Sequence, residues 1–199
     1  MQQGEKQSIK LNKTYFLTPT VVSWIDLFSR KELRDVVISS LKYCIQNKGL
    51  NVYCFCVMTN HLHLIANCNE PFQLSDTIRD FKRHIATECF KWILHNPESI
   101  HNPESRKERM LPIFESAGNN DPKNKSVKVW QTGNQAIELY NSEFIWPKVL
   151  YIHNNPVRAG WVNKPEDWIY SSAKNYVEEE SILPEVIRIN PPLNFKNKF

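Results

Sequence analysis

A chain of 199 residues, 41% hydrophobic and 12% aromatic, is long enough to bury one full core and too apolar for a disordered protein. Its formal charge of +4 marks a mildly basic molecule and by itself does not separate a nucleic-acid binder from an ordinary soluble enzyme. No run approaches the roughly 18 to 20 apolar residues of a membrane span, the N-terminal arm at 1–13 is too polar for a secretory signal, and five cysteines without a C-x-x-C pair read as reduced, buried thiols. The expectation is a cytoplasmic protein with no membrane partner.

In chain order, Thr14 to Val22 is aromatic and β-branched and predicts a first strand, which Pro19 pushes toward an edge or a bulge. Ser29 stands where a helix cap belongs, ahead of a helix from Arg30 to about Asn47 whose apolar residues recur at helical spacing up to Gly49. Leu50 to Met58 and His61 to Cys68 are β-rich runs around the dipeptide Thr59-Asn60 and predict a hairpin. A second helix spans about Leu74 to Leu94, with Arg79, Lys82, Arg83 and Lys91 opposite its apolar stripe.

Between His95 and Lys125 the composition turns to Pro, Asn, Glu, Lys and Gly, and His-Asn-Pro-Glu-Ser occurs at both 95–99 and 101–105, which predicts a mobile insertion. Ser126 to Gln131 reads as an edge strand, followed by a helix from Asn141 or Ser142 to Asn154 that Pro156 and Gly160 end. Residues 177–199 form an acidic, then Pro/Asn-rich tail. The order of elements over 14–176 is that of an α+β, ferredoxin-like (split βαβ, RRM-like) antiparallel sheet with its helices on one face.

Two residues apart on one strand, His61 and His63 point their imidazoles to one face while Leu62 enters the core. Such a pair holds a divalent cation if a third ligand arrives from elsewhere, and is otherwise a pair of hydrogen-bonded strand histidines. Further on, Tyr151 and Asn155 are i and i+4, so phenol and amide share a helix face. Read alone, Tyr151 packs as core and Asn155 ends a helix before Pro156.

The string Phe-Cys-Val-Met-Thr-Asn-His-Leu-His-Leu-Ile at 55–65 resembles the HUH motif of the single-tyrosine transposases, with Thr59 where many members carry proline. Tyr151-Ile-His-Asn-Asn-Pro-Val-Arg-Ala-Gly160 resembles the tyrosine segment of the same family, especially its REP-associated and insertion-sequence-200-like members. Val129-Trp130-Gln131, Pro165-Glu166-Asp167-Trp168 and Tyr170-Ser171-Ser172-Ala173 extend the resemblance over roughly residues 14 to 176.

The resemblance implies a metal-dependent single-strand DNA endonuclease and strand-transferase that forms a 5′-phosphotyrosine at hairpin or repeat-element DNA. In it Tyr151 is the nucleophile, His61 and His63 hold Mg²⁺ or Mn²⁺, and Asn155 completes the metal site, with His153 and Asn154 supporting or structural. No P-loop or dinucleotide fingerprint appears, so no nucleotide cofactor is expected. Arg79, Lys82, Arg83, Lys128 and Arg158, with Lys123 and Lys125, are candidates for DNA phosphates, and the family works as monomers or homodimers. Two other readings are a domesticated hairpin-binding protein that no longer cleaves, and a metallohydrolase using water in place of Tyr151.

Overall fold

The computed structural model describes residues 13–95, 106–122 and 126–192. Lys123, Lys125, most of the N-terminal arm and both copies of the His-Asn-Pro-Glu-Ser repeat, apart from the His95 that opens the first, lie outside the described residues. Strand β1 (Thr14–Leu17) is followed by helix α1 (Lys31–Asn47), strands β2 (Leu50–Val57) and β3 (Leu62–Cys68), and helix α2 (Leu74–His95). Helix α3 (Arg106–Asn119), strand β4 (Ile137–Leu139), helix α4 (Ser142–Arg158) and a single turn α5 (Ala173–Tyr176) complete the order. The sheet runs β2-β3-β1-β4, antiparallel at each pairing, which is the ferredoxin-like order expected from the sequence.

Period-2 alternation sorts the strands onto two faces. Tyr15, Leu17, Val52, Phe55, Val57, Leu62 and Leu64 join the apolar stripes of α1 and α2 in the main core. Phe16, Cys54, Cys56 and Ile65 point the other way, against Trp146, Val149 and Ile152 of α4, so the helices cover both faces of the sheet and not the one face expected from the sequence. The phase of the hairpin therefore decides which side chains meet α4, and a one-residue slip would send the histidines into the core. All five cysteines are buried free thiols.

Several local expectations are corrected. Pro19 ends β1 outright, since it has no N–H for the ladder. Arg30 occupies the N-cap of α1 without a side-chain capping bond, and the Ser29 hydroxyl donates instead to the Asp26 carbonyl at 2.7 Å. Residues 126–131 make one bridge, Val21 to Trp130, and the fourth strand is Ile137–Leu139. Part of the expected mobile insertion is α3, anchored on the core by buried Met110 and Phe114.

Helix α4 also runs past Pro156, which is buried, to Arg158, and Gly160 at φ 72° supplies the left-handed exit. Asn141 caps its start, accepting from the Phe144 N–H at 3.0 Å. The outer edge of β2 is covered by later chain: Ser171 bridges Cys56, and the Ile187 N–H donates to the Val52 carbonyl at 2.9 Å. Leu183 and Val186 of the tail are buried in the main core.

Candidate active site

Met58 N–H donates to the His61 carbonyl at 2.9 Å, closing the hairpin, and the Leu62 N–H reaches the Pro19 carbonyl at 3.0 Å. These bonds seat His61 and His63 beside the end of β1, on the α4 side of the sheet. Their Nε2 atoms are 3.1 Å apart. The Nδ1–H of His61 donates to Asn60 Oδ1 at 2.6 Å, which leaves its Nε2 as a lone pair. Nδ1 of His63 lies 3.3 Å from the Thr18 hydroxyl.

Burial lowers the pKa of His61, and it takes His63 down to about 3, assisted by His61 and Lys148. Both rings are therefore neutral near pH 7, the form a metal requires. Two nitrogens about 2.1 Å from one cation and at right angles would lie about 3 Å apart, so the pair fits adjacent positions on a single ion. Among the described residues no cluster of three or more His, Cys, Asp or Glu side chains supplements it. Among the described residues, a third protein donor would then be an amide, hydroxyl or carbonyl oxygen.

Tyr151 arrives from α4, 39% exposed, with its ring centroid 5.4 Å from that of His63 and 6.3 Å from Phe16. Phe16 stacks on His63 at 5.5 Å and holds the imidazole from behind. Lys148, Tyr151, Asn155 and Arg158 follow one another at i+3, i+4 and i+3, so they form one stripe along α4. Lys148 Nζ lies 5.7 Å and Arg158 Cζ 5.9 Å from the centroid of the Tyr151 ring. Neither cation pairs with a carboxylate among the described residues.

Asn155 shares the stripe, but its Nδ2 donates to the Tyr151 carbonyl at 2.7 Å, leaving Oδ1 as its one donor atom for a cation. His153 faces inward, 2.7 Å from Ser172 Oγ and 3.2 Å from Cys54 Sγ, and burial lowers its pKa to about 3. It ties α4 to β2, away from the Tyr151 stripe. The Asn154 side chain donates to the Leu150 carbonyl at 2.9 Å.

The remaining sequence candidates lie elsewhere. Arg79 pairs with Asp76 and Asp80, Arg83 with Asp80, and Lys128 with Asp121 at 2.6 Å. Lys82 donates to the Gly133 carbonyl at 3.1 Å and to Asn134 Oδ1 at 2.9 Å. Trp130 is buried and donates to the Lys82 carbonyl, and Trp168 to the Val57 carbonyl. Sequence reasoning missed Lys148; its place three residues before the candidate tyrosine is the signal that would have found it.

The family model of the IS200-like transposases matches residues 25–104. No curated protein matches the chain. Among solved structures it is similar to a REP-associated tyrosine transposase bound to a REP hairpin, at 18% identity and a TM-score of 0.59, over 92% of this chain and 90% of that one. At that identity the likeness speaks for the fold. A looser likeness, 16% identical with a TM-score of 0.40 over 77% of this chain and 97% of the other, is to a protein of Deinococcus radiodurans R1 described as a transposase. The match to the IS200-like transposase model thus spans the segment that contains His61 and His63 and stops before the Tyr151 helix, and over that segment this chain is similar to that family.

Proposed function

We propose that this protein is a metal-dependent single-strand DNA nicking and rejoining enzyme whose nucleophile is Tyr151. The carrying observation is the approach of the Tyr151 ring to within 5.4 Å of His63, whose Nε2 lies 3.1 Å from that of a second neutral imidazole. A protonated phenol is a weak nucleophile until its proton is removed. A divalent ion such as Mg²⁺ or Mn²⁺, when bound by His61 and His63 with Asn155 Oδ1, would polarise the scissile phosphate. Lys148 and Arg158 place positive charge on the phosphate from two sides of the phenol.

Tyr151 Oη attacks phosphorus and loses its proton; the bond to the 3′ oxygen breaks, and that oxygen takes up a proton. The products are a 5′-phosphotyrosine and a 3′-hydroxyl. The phosphotyrosine ester conserves the energy of the broken diester, so a second 3′-hydroxyl can reverse the step on another strand without ATP. The likeness to a transposase bound to a REP hairpin supports hairpin or repeat-end DNA as substrate.

The test is incubation with labelled hairpin DNA and Mn²⁺ followed by denaturing electrophoresis. A covalent protein–DNA adduct is expected from the wild type and none from Tyr151→Phe. Binding without an adduct, across hairpins with varied single-stranded flanks, would favour a hairpin-binding protein; cleavage that survives Tyr151→Phe would favour a water nucleophile.

A further inference from the structure

Next to the histidines lies an open cleft of about 770 Å³, with Trp24, Asp26, Thr59, Arg109, Ile113 and Trp161 among its lining residues. Its most unusual member is Trp24. The indole is 58% exposed, and it sits in left-handed backbone at φ 54°, directly after Ser23 at φ 53°. Two consecutive non-glycine residues in that region are costly, and such strain persists only where the surroundings impose it. Holding a large aromatic ring in water at a backbone cost does nothing for folding.

The candidate active site touches this segment directly. The Asn60 amide donates to the Trp24 carbonyl at 3.3 Å through Nδ2 and accepts from His61 Nδ1 at 2.6 Å through Oδ1. The indole meets the His61 ring edge-on at 6.1 Å. One amide therefore orients the His61 ring and bonds the Trp24 backbone.

The lining selects the ligand. Asp26 and Arg109 offset one another, so the cleft does not gather phosphates as an unopposed basic patch would. Trp24 and Trp161, 40% exposed, offer π faces instead, and the carboxylate and guanidinium offer an acceptor and donors to the edge of a flat heterocycle. The Arg109 and Ile113 wall belongs to α3.

We propose that this cleft receives one unpaired nucleobase of the bound strand, stacked on Trp24, close along the strand to the phosphate at His61. The assignment rests on the single-strand DNA reading above. It makes Trp24 a substrate-binding residue, and Asn60 the positioning residue that links base capture to the metal ligand.

The experiment is a binding cycle in EDTA, where no cleavage occurs, using a single-stranded oligonucleotide of about 12 nucleotides with abasic substitutions moved along it. Trp24→Ala is expected to weaken binding about 10-fold and Trp24→Phe by no more than about 3-fold. One abasic position should cost the wild type about 10-fold and cost Trp24→Ala nothing further. Trp24→Gly separates strain from stacking: glycine accepts φ 54°, so this variant should melt higher than Trp24→Ala and bind equally weakly. Unchanged affinity in Trp24→Ala, or abasic losses identical in wild type and variant at every position, overturns the assignment even if the Tyr151 adduct forms. Coupling at one position without any adduct in Mn²⁺ leaves the cleft assignment standing and defeats the phosphotyrosine mechanism.

Discussion

Helices α2 and α4 both carry cations on a solvent-facing stripe, and they use them in opposite ways. On α2 the charges are engaged by the protein itself: Arg79 and Arg83 meet carboxylates one turn away, and Lys82 meets oxygens of the 131–134 loop. On α4, Lys148 and Arg158 lie beside the Tyr151 ring with no carboxylate partner among the described residues. A count of basic residues ranks α2 first as a DNA-binding face. The partners reverse the ranking, because only an unpaired cation can release counterions from a phosphate without first losing an internal contact.

The largest expected effect lies at the centre of the α4 stripe. Tyr151→Phe should lower adduct formation by at least about 10³-fold, and His63→Ala should do the same while weakening Mn²⁺ binding measured by calorimetry. Next comes Lys148→Met, expected to slow cleavage about 10- to 100-fold at saturating DNA, with Lys148→Arg recovering most of it. If Lys148→Met cleaves at the wild-type rate, the contrast between the helices loses its functional meaning.

On the buried side of α4, His153→Ala should cost about 2 to 3 kcal/mol in urea unfolding, because it leaves polar partners unsatisfied next to β2. Smaller still, Arg79→Gln with Arg83→Gln should change oligonucleotide affinity by about twofold or less, since exposed ion pairs contribute little and their cations are already engaged. A tenfold loss there would move the DNA track back to α2.

Lys82 sharpens the same contrast through pH. Burial, with a smaller contribution from Lys128, lowers its ammonium to about 8 despite its oxygen partners. Between about 8 and the unfolded value of about 10.4, the unfolded chain keeps the proton and the folded chain has released it, so unfolding free energy rises with pH across that window. Comparing wild type with Lys82→Met by chemical denaturation from pH 7 to 10, the difference should move in favour of the wild type as pH rises. No such trend is expected for Arg79→Gln.

The legible parts of the site were the ones that depend on short spacing. His61 and His63 two apart on a strand, and Tyr151 and Asn155 four apart on a helix, declare a shared face before any tertiary contact is known. Lys148 obeys the same rule and was passed over because a lone lysine at i−3 carries no chemistry until its neighbours are known. Trp24 was less legible still, since nothing in Val22-Ser-Trp-Ile25 announces two left-handed residues.

Local pattern misled where a longer-range partner decided the outcome. Residues 126–131 look more strand-like than 137–139, yet β1 pairs with the latter, and Val129 and Trp130 go to the core instead. Pro156 reads as a helix stop, but burial against the sheet side of α4 carries the helix on to Arg158. Residues 106–119 look like a polar loop, and Met110 and Phe114 hold them as a helix against the core.

By itself, then, the sequence determined the first three strands and the two long helices α1 and α2, the ferredoxin-like class and the two-histidine and tyrosine motifs, because periodicity and spacing are properties of the chain. Only the tertiary structure decided which cations remain unpaired, that one asparagine joins His61 to a strained Trp24, and that an insertion helix walls the cleft beside them. Those outcomes depend on which distant segments meet, and the free energy that settles them is that of burial and pairing across the sheet rather than of any local run of residues.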